Sequence, residues 1–229
     1  MPIIAVDDEK KDIDIYEHMA QWRAFMRRHD ANVFDVFFFD KEQLSEDDIT
    51  AVIEKVAGFF QLPVPVIHQQ CKTMAEVMMG EEVGKYEMSY NWQMMKSAGI
   101  NNKDALTMVV VHETTHQLLR HTHFGIFDNE MWIHELIADL MAGAYAALNG
   151  NMATGKYKYV LEQQPAKLTH PDGKLRAKAV EFGWQTAWLL LMSKRYYGIK
   201  AVVNGLPAFV YTHYSTLHSD WERVCSENE

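Results

Sequence analysis

Hydrophobic positions along this chain fall mainly at helical spacing. Residues 12–29 mix apolar and charged positions in this way. A second helix is predicted to begin after Ser45, because a hydroxyl cap and the three acidic residues that follow it suit the positive end of a helix dipole. The apolar face of this helix consists of Ile49, Val52, Ile53, Val56, Phe59 and Phe60. Pro63 and Pro65 end it.

Two segments have the pattern of β-strands instead. Val64–His68 is predicted to be a short buried strand, with its prolines near an edge or at its start. In Lys85–Trp92, apolar residues alternate with polar ones, so that one face of the strand is covered. The sequence therefore predicts a small sheet among several helices.

Four more helices follow from the periodicity, two in the middle of the chain and two near its end. Their predicted ranges are 104–120, 131–148, 172–197 and 207–224. A segment rich in Gly and Asn, NGNMATGK, separates the two pairs but is too short for a linker. The predicted fold class is α+β and mostly helical.

Composition and charge narrow the class of protein. The 229 residues are 48% hydrophobic and 23% charged, which predicts one domain over residues 1–229. A net charge of -9 argues against nucleic acid or an anionic membrane surface as the main partner. No apolar run approaches the ~20 residues of a membrane span. The first residues lack the features of a secretory signal, so we expect a cytoplasmic protein.

The strongest chemical signal is HETTH at residues 112–116. His112 and His116 are four residues apart, so on a helix they share one face and both imidazoles can reach one metal ion. Glu113 lies beside them, where it can take a proton from a water on the metal. This five-residue pattern also occurs by chance in unrelated helices, so the hypothesis needs a third ligand.

ELIAD at residues 135–139 supplies that ligand. Glu135 and Asp139 lie one turn apart on a helix that a short connection can fold against the first. Two histidines and a glutamate leave a fourth position open for water, as a catalytic zinc site requires. Asp139 then accepts a hydrogen bond from the free ring nitrogen of a metal-binding histidine. The alternative, a solvated helix face, is opposed by the apolar neighbours Ile133, Leu136, Ile137 and Leu140.

HETTH followed by ELIAD resembles the HExxH and ExxxD pair of gluzincin metallopeptidases. A third segment, HPDGKLR at residues 170–176, is similar to the HPxxxxR segment of the family that contains the CaaX prenyl protease and the heat-shock protease HtpX. The resemblance covers about residues 106–180. The sequence shows none of the family's transmembrane helices, and its plan is closer to that of the small, soluble minigluzincin peptidases.

This resemblance implies a zincin-like core, with a small sheet packed on the HExxH helix and an ExxxD helix. The single metallopeptidase domain would comprise an N-terminal helical segment, a catalytic core and C-terminal helices, at residues 1–62, 63–180 and 181–229. It would hydrolyse peptide bonds in a peptide or protein substrate. Bound Zn²⁺ would have the ligands His112, His116 and Glu135.

The resemblance also implies roles around the metal. Glu113 would act as general base, His170 would help to stabilise the transition state, and Arg176 would brace the site. Weaker candidates for stabilising the oxyanion are Tyr211, His213 and Tyr214.

Two other interpretations stay open. One is a catalytically idle zinc-binding sensor or regulatory domain, which the intact Glu113 opposes. The other is a structural helical protein with a chance motif, which three motifs in the family order oppose. A second metal site is also conceivable from three nearby histidines, although the end of a helix favours such side chains anyway. These are His121, His123 and His134.

Overall fold

The computed structural model describes most of the chain after its first 43 residues. The described residues are 44–69, 72–79, 85–120, 125, 129–151, 154–192 and 206–228. They form mostly helix, together with one three-stranded mixed sheet. The prediction of an α+β class in which helix dominates is therefore confirmed. The helix predicted at residues 12–29 lies outside the described residues.

Helix α1 (Glu46–Phe59) begins where the cap chemistry indicates. The Ser45 hydroxyl accepts a hydrogen bond from the Asp48 N–H at 3.2 Å, and the Asp48 carboxylate accepts one from the Ser45 N–H at 3.0 Å. This reciprocal pair satisfies two N–H groups that a helix start otherwise leaves open. The buried side of α1 contains the predicted apolar positions Ile49, Val52, Ile53 and Val56.

The sheet consists of β1 (Val66–His68), β2 (Ala75–Met79) and β3 (Tyr86–Tyr90). Their order is β1-β3-β2, with β1 parallel and β2 antiparallel to the central strand. The prediction that β1 is buried was wrong, because β1 lies at the edge of the sheet and Val66 is 60% exposed. Met88 of β3 pairs with Ile67 on one side and Val77 on the other. Met88 is buried and lines a small apolar cavity together with residues of the helix that carries HETTH. The sheet therefore packs one face on that helix.

The strand predicted to reach Trp92 ends two residues earlier. The Asn91 side chain accepts a hydrogen bond from the Met94 N–H at 3.1 Å and so starts the short helix α2 (Trp92–Ser97). Strand β2 was not predicted, because its sequence, AEVMM, has few of the β-branched and aromatic residues that strands favour.

The remaining helices form the body of the described chain. They are α3 (Lys103–Leu119), α4 (Glu130–Asn149), α5 (Thr154–Glu162), α6 (Gly173–Met192) and α7 (Leu206–Glu227). Helix α5 was not predicted, because its short sequence contains a glycine and follows a turn-like segment. Helix α4 is buried along nearly its whole length, as expected of a central helix with apolar residues all round. None of the helices among the described residues is long and apolar enough to cross a membrane.

Helices α4 and α6 cross with their backbones in contact. A Cβ atom added at Gly143 would lie 1.9 Å from the Val180 carbonyl oxygen, and one added at Gly183 would lie 1.9 Å from the Leu140 carbonyl oxygen. Even weak C–H···O contacts keep carbon and oxygen about 3.3 Å apart. Only glycine fits at either position, and the close crossing brings the start of α6 next to α4.

Replacing Gly143 with alanine tests this contact. We expect Gly143→Ala to lower the free energy of unfolding by about 3 kcal/mol, because the added methyl group meets backbone that cannot rotate away. Urea denaturation monitored by circular dichroism measures the change.

Gly58 in α1 provides the matched control, since an added Cβ there meets nothing within 4 Å. Gly58→Ala should stabilise the protein by up to about 1 kcal/mol through helix propensity alone. Equal effects of the two substitutions would contradict a backbone contact at Gly143.

Candidate metal site

Helix α3 presents the two histidines of HETTH on one side. Their Nε2 atoms are 3.1 Å apart, and their rings meet edge to face with centroids 4.8 Å apart. His112 is buried, whereas the side chain of His116 is 23% exposed. The four-residue spacing on a helix thus brings both ring nitrogens to one point, as the sequence predicts.

Helix α4 brings Glu135 to the same point. Glu135 Oε2 lies 3.2 Å from His112 Nε2, and Oε1 lies 3.3 Å from His116 Nε2. One ligand atom from each of the three residues falls within 4.8 Å of the others, so the group could hold a metal ion. In the part of the chain that the structure describes, no second group of three such residues is found.

Asp139, one turn further along α4, fixes the orientation of His112. Its Oδ1 accepts a hydrogen bond from His112 Nδ1 at 2.9 Å, and the residue is completely buried. Because Nδ1 carries the donated proton, Nε2 of the neutral ring is left as a ligand directed at Glu135. Burial alone would raise the pKa of Asp139, but the nearby Arg176 and His112 outweigh it and lower that pKa.

Arg176, near the start of α6, connects the two carboxylates. Its Nε and Nη2 donate to the two oxygens of Asp139 at 2.7 and 3.2 Å, and Nη2 lies 3.3 Å from Glu135 Oε2. Burial disfavours the guanidinium charge, but Asp139 and Glu135 outweigh this effect and raise the pKa of Arg176. The arginine therefore keeps its charge in the interior and compensates the carboxylates.

Glu135 Oε2 has the surroundings of a metal ligand. It is buried and has no hydrogen-bond partner among the described residues. Nitrogens of His112, His170 and Arg176 lie 3.2–3.3 Å away, close enough for electrostatic attraction but without hydrogen-bond geometry. A buried carboxylate oxygen without a hydrogen bond is costly. A cation between this oxygen and the two Nε2 atoms would satisfy all three, so the residues fit a metal ion.

Without a bound metal, the surroundings of His112 favour the doubly protonated form of its ring. Burial acts against a charged imidazole, but Asp139 and Glu135 outweigh it and raise the pKa of His112 to about 10. The neighbouring carboxylates thus attract a positive charge to the site. A metal ion must displace this proton in order to bind.

Glu113 lies between the metal ligands and the sheet. Its side chain is half-buried and lines the apolar cavity together with Met88, Tyr90 and Val109. Burial raises the pKa of Glu113, while the neighbouring His112 and His116 act in the opposite direction. A carboxyl group with a raised pKa is well suited to accept a proton and then release it.

His170 reaches the site from a tight turn before α6. Its Nε2 lies 3.3 Å from Glu135 Oε2, and its Nδ1 lies 2.7 Å from the Thr169 hydroxyl. Helix α4 anchors the turn, since the Asn129 side chain donates to the Leu168 carbonyl at 2.6 Å. The Trp132 indole also donates to this turn, at 3.0 Å from the Lys167 carbonyl. Because the His170 side chain is 40% exposed, it can meet a molecule that enters the site.

Three polar contacts of the site were not predicted. The Tyr157 hydroxyl lies 3.3 Å from Asp139 Oδ1, and Gln164 Oε1 accepts from Arg176 Nη1 at 3.1 Å. Thr169 contacts His170. These residues belong to no motif. The partners of Tyr157 and Gln164 lie on other elements, and Thr169 merely precedes the HPDGKLR segment, so nothing in the sequence marks the three as site residues. Of the weaker oxyanion candidates, Tyr211 is 86% and Tyr214 46% exposed on α7. His121 and His123 lie outside the described residues.

Comparison of this chain with protein-family models, with curated proteins and with solved structures gives no match. The resemblance to gluzincin peptidases therefore depends on the three motifs alone.

Metal binding should depend on pH in a direction that follows from His112. As the pH rises from about 6 to about 8, the proton on His112 becomes easier to displace. We expect the apparent affinity for a divalent ion to rise about ten-fold per pH unit, with release of about one proton per ion. Titration calorimetry in buffers of different ionisation enthalpy measures both quantities.

The variant Asp139→Asn serves as comparison. It removes a charge that raises the pKa of His112, so the pH dependence should become shallower. An affinity that does not change with pH would contradict a proton held at His112.

Proposed function

We propose that this chain is a zinc-dependent peptidase, in which His112, His116 and Glu135 hold the metal and Glu113 acts as general base. The observation that carries the proposal is the convergence of the two Nε2 atoms and the Glu135 carboxylate at 3.1–3.3 Å. Glu113 follows His112 on α3, interacts electrostatically with this group, and lines a cavity together with residues of the sheet. Metal-assisted hydrolysis needs both a metal-binding group and a neighbouring general base.

The donor set supports zinc as the metal. Two imidazoles and one carboxylate form a three-residue set that leaves a fourth position open, as in catalytic zinc sites. Zinc bonds of about 2.0–2.1 Å in a tetrahedral arrangement separate the ligand atoms by about 3.3 Å. The contacts among the three side chains have nearly this length already. Little rearrangement is needed for them to bind one ion.

The residues around the metal would have separate roles in peptide-bond hydrolysis. What bound zinc supplies in such a site is a lower pKa for a coordinated water and polarisation of the substrate carbonyl. Glu113 would take the proton from the attacking water and pass it to the leaving amine. Its raised pKa makes the first of these transfers easier. His170, exposed and directed at the site, would donate to the developing oxyanion.

Arg176 and Asp139 would keep the ligands in place during this reaction. Asp139 holds the His112 ring, and Arg176 lies between Asp139 and Glu135 so that the two carboxylates do not repel each other. Both residues are buried, which keeps most water away from these contacts and the electrostatic attraction strong. Arg176 would thus brace the site, as the family resemblance implies.

The fold supports a gluzincin peptidase, in the form of a minigluzincin-like zincin core. The sheet packs on the HExxH helix α3, and the ExxxD helix α4 packs on the same helix. The proposed substrate is a peptide or protein. The second candidate is a catalytically idle zinc-binding sensor or regulatory domain, which would need no group in the position of Glu113.

The first experiment measures the metal content of the protein purified without chelator. We expect about one zinc ion per chain in the wild type and almost none in Glu135→Ala or His116→Ala, because each variant loses one of three ligands. A folded wild type that takes up no zinc even when zinc is added would end the peptidase proposal.

The variant Glu113→Gln separates catalysis from metal binding. We expect it to lower the rate of peptide cleavage by about 10²–10⁴-fold, because the general base is lost. Its zinc content should stay at the wild-type level. Cleavage of a peptide library, analysed by mass spectrometry, measures the rate.

Glu54→Gln changes an exposed glutamate of α1 and provides the matched control. It should cleave at the wild-type rate. If the wild type binds zinc but cleaves no peptide, the sensor interpretation is favoured instead.

A further inference from the structure

Helix α5 contributes one buried hydroxyl group to the metal site. Tyr157 is 4% exposed, and its hydroxyl oxygen lies 3.3 Å from Asp139 Oδ1. An ionised carboxylate can only accept hydrogen bonds, so the tyrosine is the donor. No motif includes this residue, and no step of the proposed hydrolysis uses it.

The oxygen that Tyr157 contacts is the one that holds His112. Asp139 Oδ1 accepts from His112 Nδ1 at 2.9 Å, from Arg176 Nη2 at 3.2 Å and from Tyr157. Three donors on one buried oxygen leave the carboxylate little freedom to rotate. They also share its charge, so that each donor affects how strongly Asp139 attracts the His112 proton.

We propose that Tyr157 is a positioning residue of the metal site. Through Asp139, its hydroxyl fixes the orientation of the His112 ring and thereby the strength with which His112 Nε2 binds a metal ion. The inference rests on the metal site of the proposed function, but it does not depend on peptide hydrolysis. Helix α5 then contributes to metal binding as well as to the packing around the site.

Tyr145 provides a comparison, because its contacts are purely structural. Tyr145 is also buried in a helix, but its hydroxyl has no hydrogen-bond partner among the described residues. Its ring packs against Phe59, with centroids 4.7 Å apart. Tyr145→Phe therefore makes the same chemical change as Tyr157→Phe in a similar environment, away from the metal ligands.

The test compares zinc affinity in the full chain, measured by competition with a chromophoric chelator. Direct hydrogen-bond partners of metal ligands contribute about 10–100-fold in affinity. Tyr157 acts one step further out, so we expect Tyr157→Phe to weaken zinc binding by roughly 3- to 10-fold. Tyr145→Phe should leave it unchanged. The visible absorption spectrum of the cobalt-substituted protein should shift in Tyr157→Phe alone, because only there does the His112 ligand change orientation.

Equal affinities and equal cobalt spectra in the two folded variants would overturn the inference while leaving the proposed function intact. Zinc binding without peptide cleavage in the wild type would overturn the proposed function while leaving the inference intact. A wild type that binds no zinc would end both.

A measurement on the wild type covers the case in which Tyr157→Phe does not fold. In the zinc-bound protein, the Tyr157 hydroxyl proton should exchange slowly and give a nuclear magnetic resonance cross-peak to the His112 Nδ1 proton. Absence of that cross-peak, while the His112 Nδ1 proton itself is observed, would overturn the inference.

Discussion

The carboxylate of Asp139 connects four helices through side-chain hydrogen bonds. It lies on α4 and accepts hydrogen bonds from His112 on α3, Tyr157 on α5 and Arg176 on α6. A charge in the protein interior is strongly unfavourable unless it is paired and hydrogen-bonded. Four helices must therefore come together in one arrangement, and the position of the metal ligands follows from that arrangement.

The glycine crossing makes this arrangement geometrically possible. Without the direct contact of backbones at Gly143 and Gly183, α6 would lie further from α4. Arg176 would then no longer reach both Asp139 and Glu135. Two features thus depend on each other. The glycine contacts set the distance between α4 and α6, and the ion pairs of Arg176 make that distance favourable.

The carboxylates of the site carry more negative charge than Arg176 compensates, which favours the binding of a further cation. Two ionised carboxylates, Glu135 and Asp139, both contact the permanent cation Arg176 and the imidazole of His112. In the absence of metal, the raised pKa of His112 favours a second proton on its ring, which compensates part of the negative charge. The same carboxylates that hold this proton would hold a metal ion in its place, so affinity for protons and affinity for metal have one physical origin.

Periodicity and local motifs correctly predicted the features that depend on residues close together in the sequence. The cap at Ser45, the shared face of His112 and His116, and the α+β class all belong to this kind. Tyr157 could not be found in this way, because its role is set by Asp139, which lies 18 residues away on another helix. The Gly143 crossing was missed for the same reason, since a glycine in a helix looks unfavourable until its neighbour is known.

The polar groups around Asp139 follow one another closely along the chain, from His112 on α3 to Arg176 on α6. Contacts between segments so near in sequence close short loops, which costs little entropy and favours fast folding. Because a chain is synthesised from its N-terminus, this stretch leaves the ribosome before α7 does. The residues around Asp139 can therefore meet before α7 is available, and Trp221 of α7 packs edge to face on the buried Trp132, with ring centroids 5.3 Å apart.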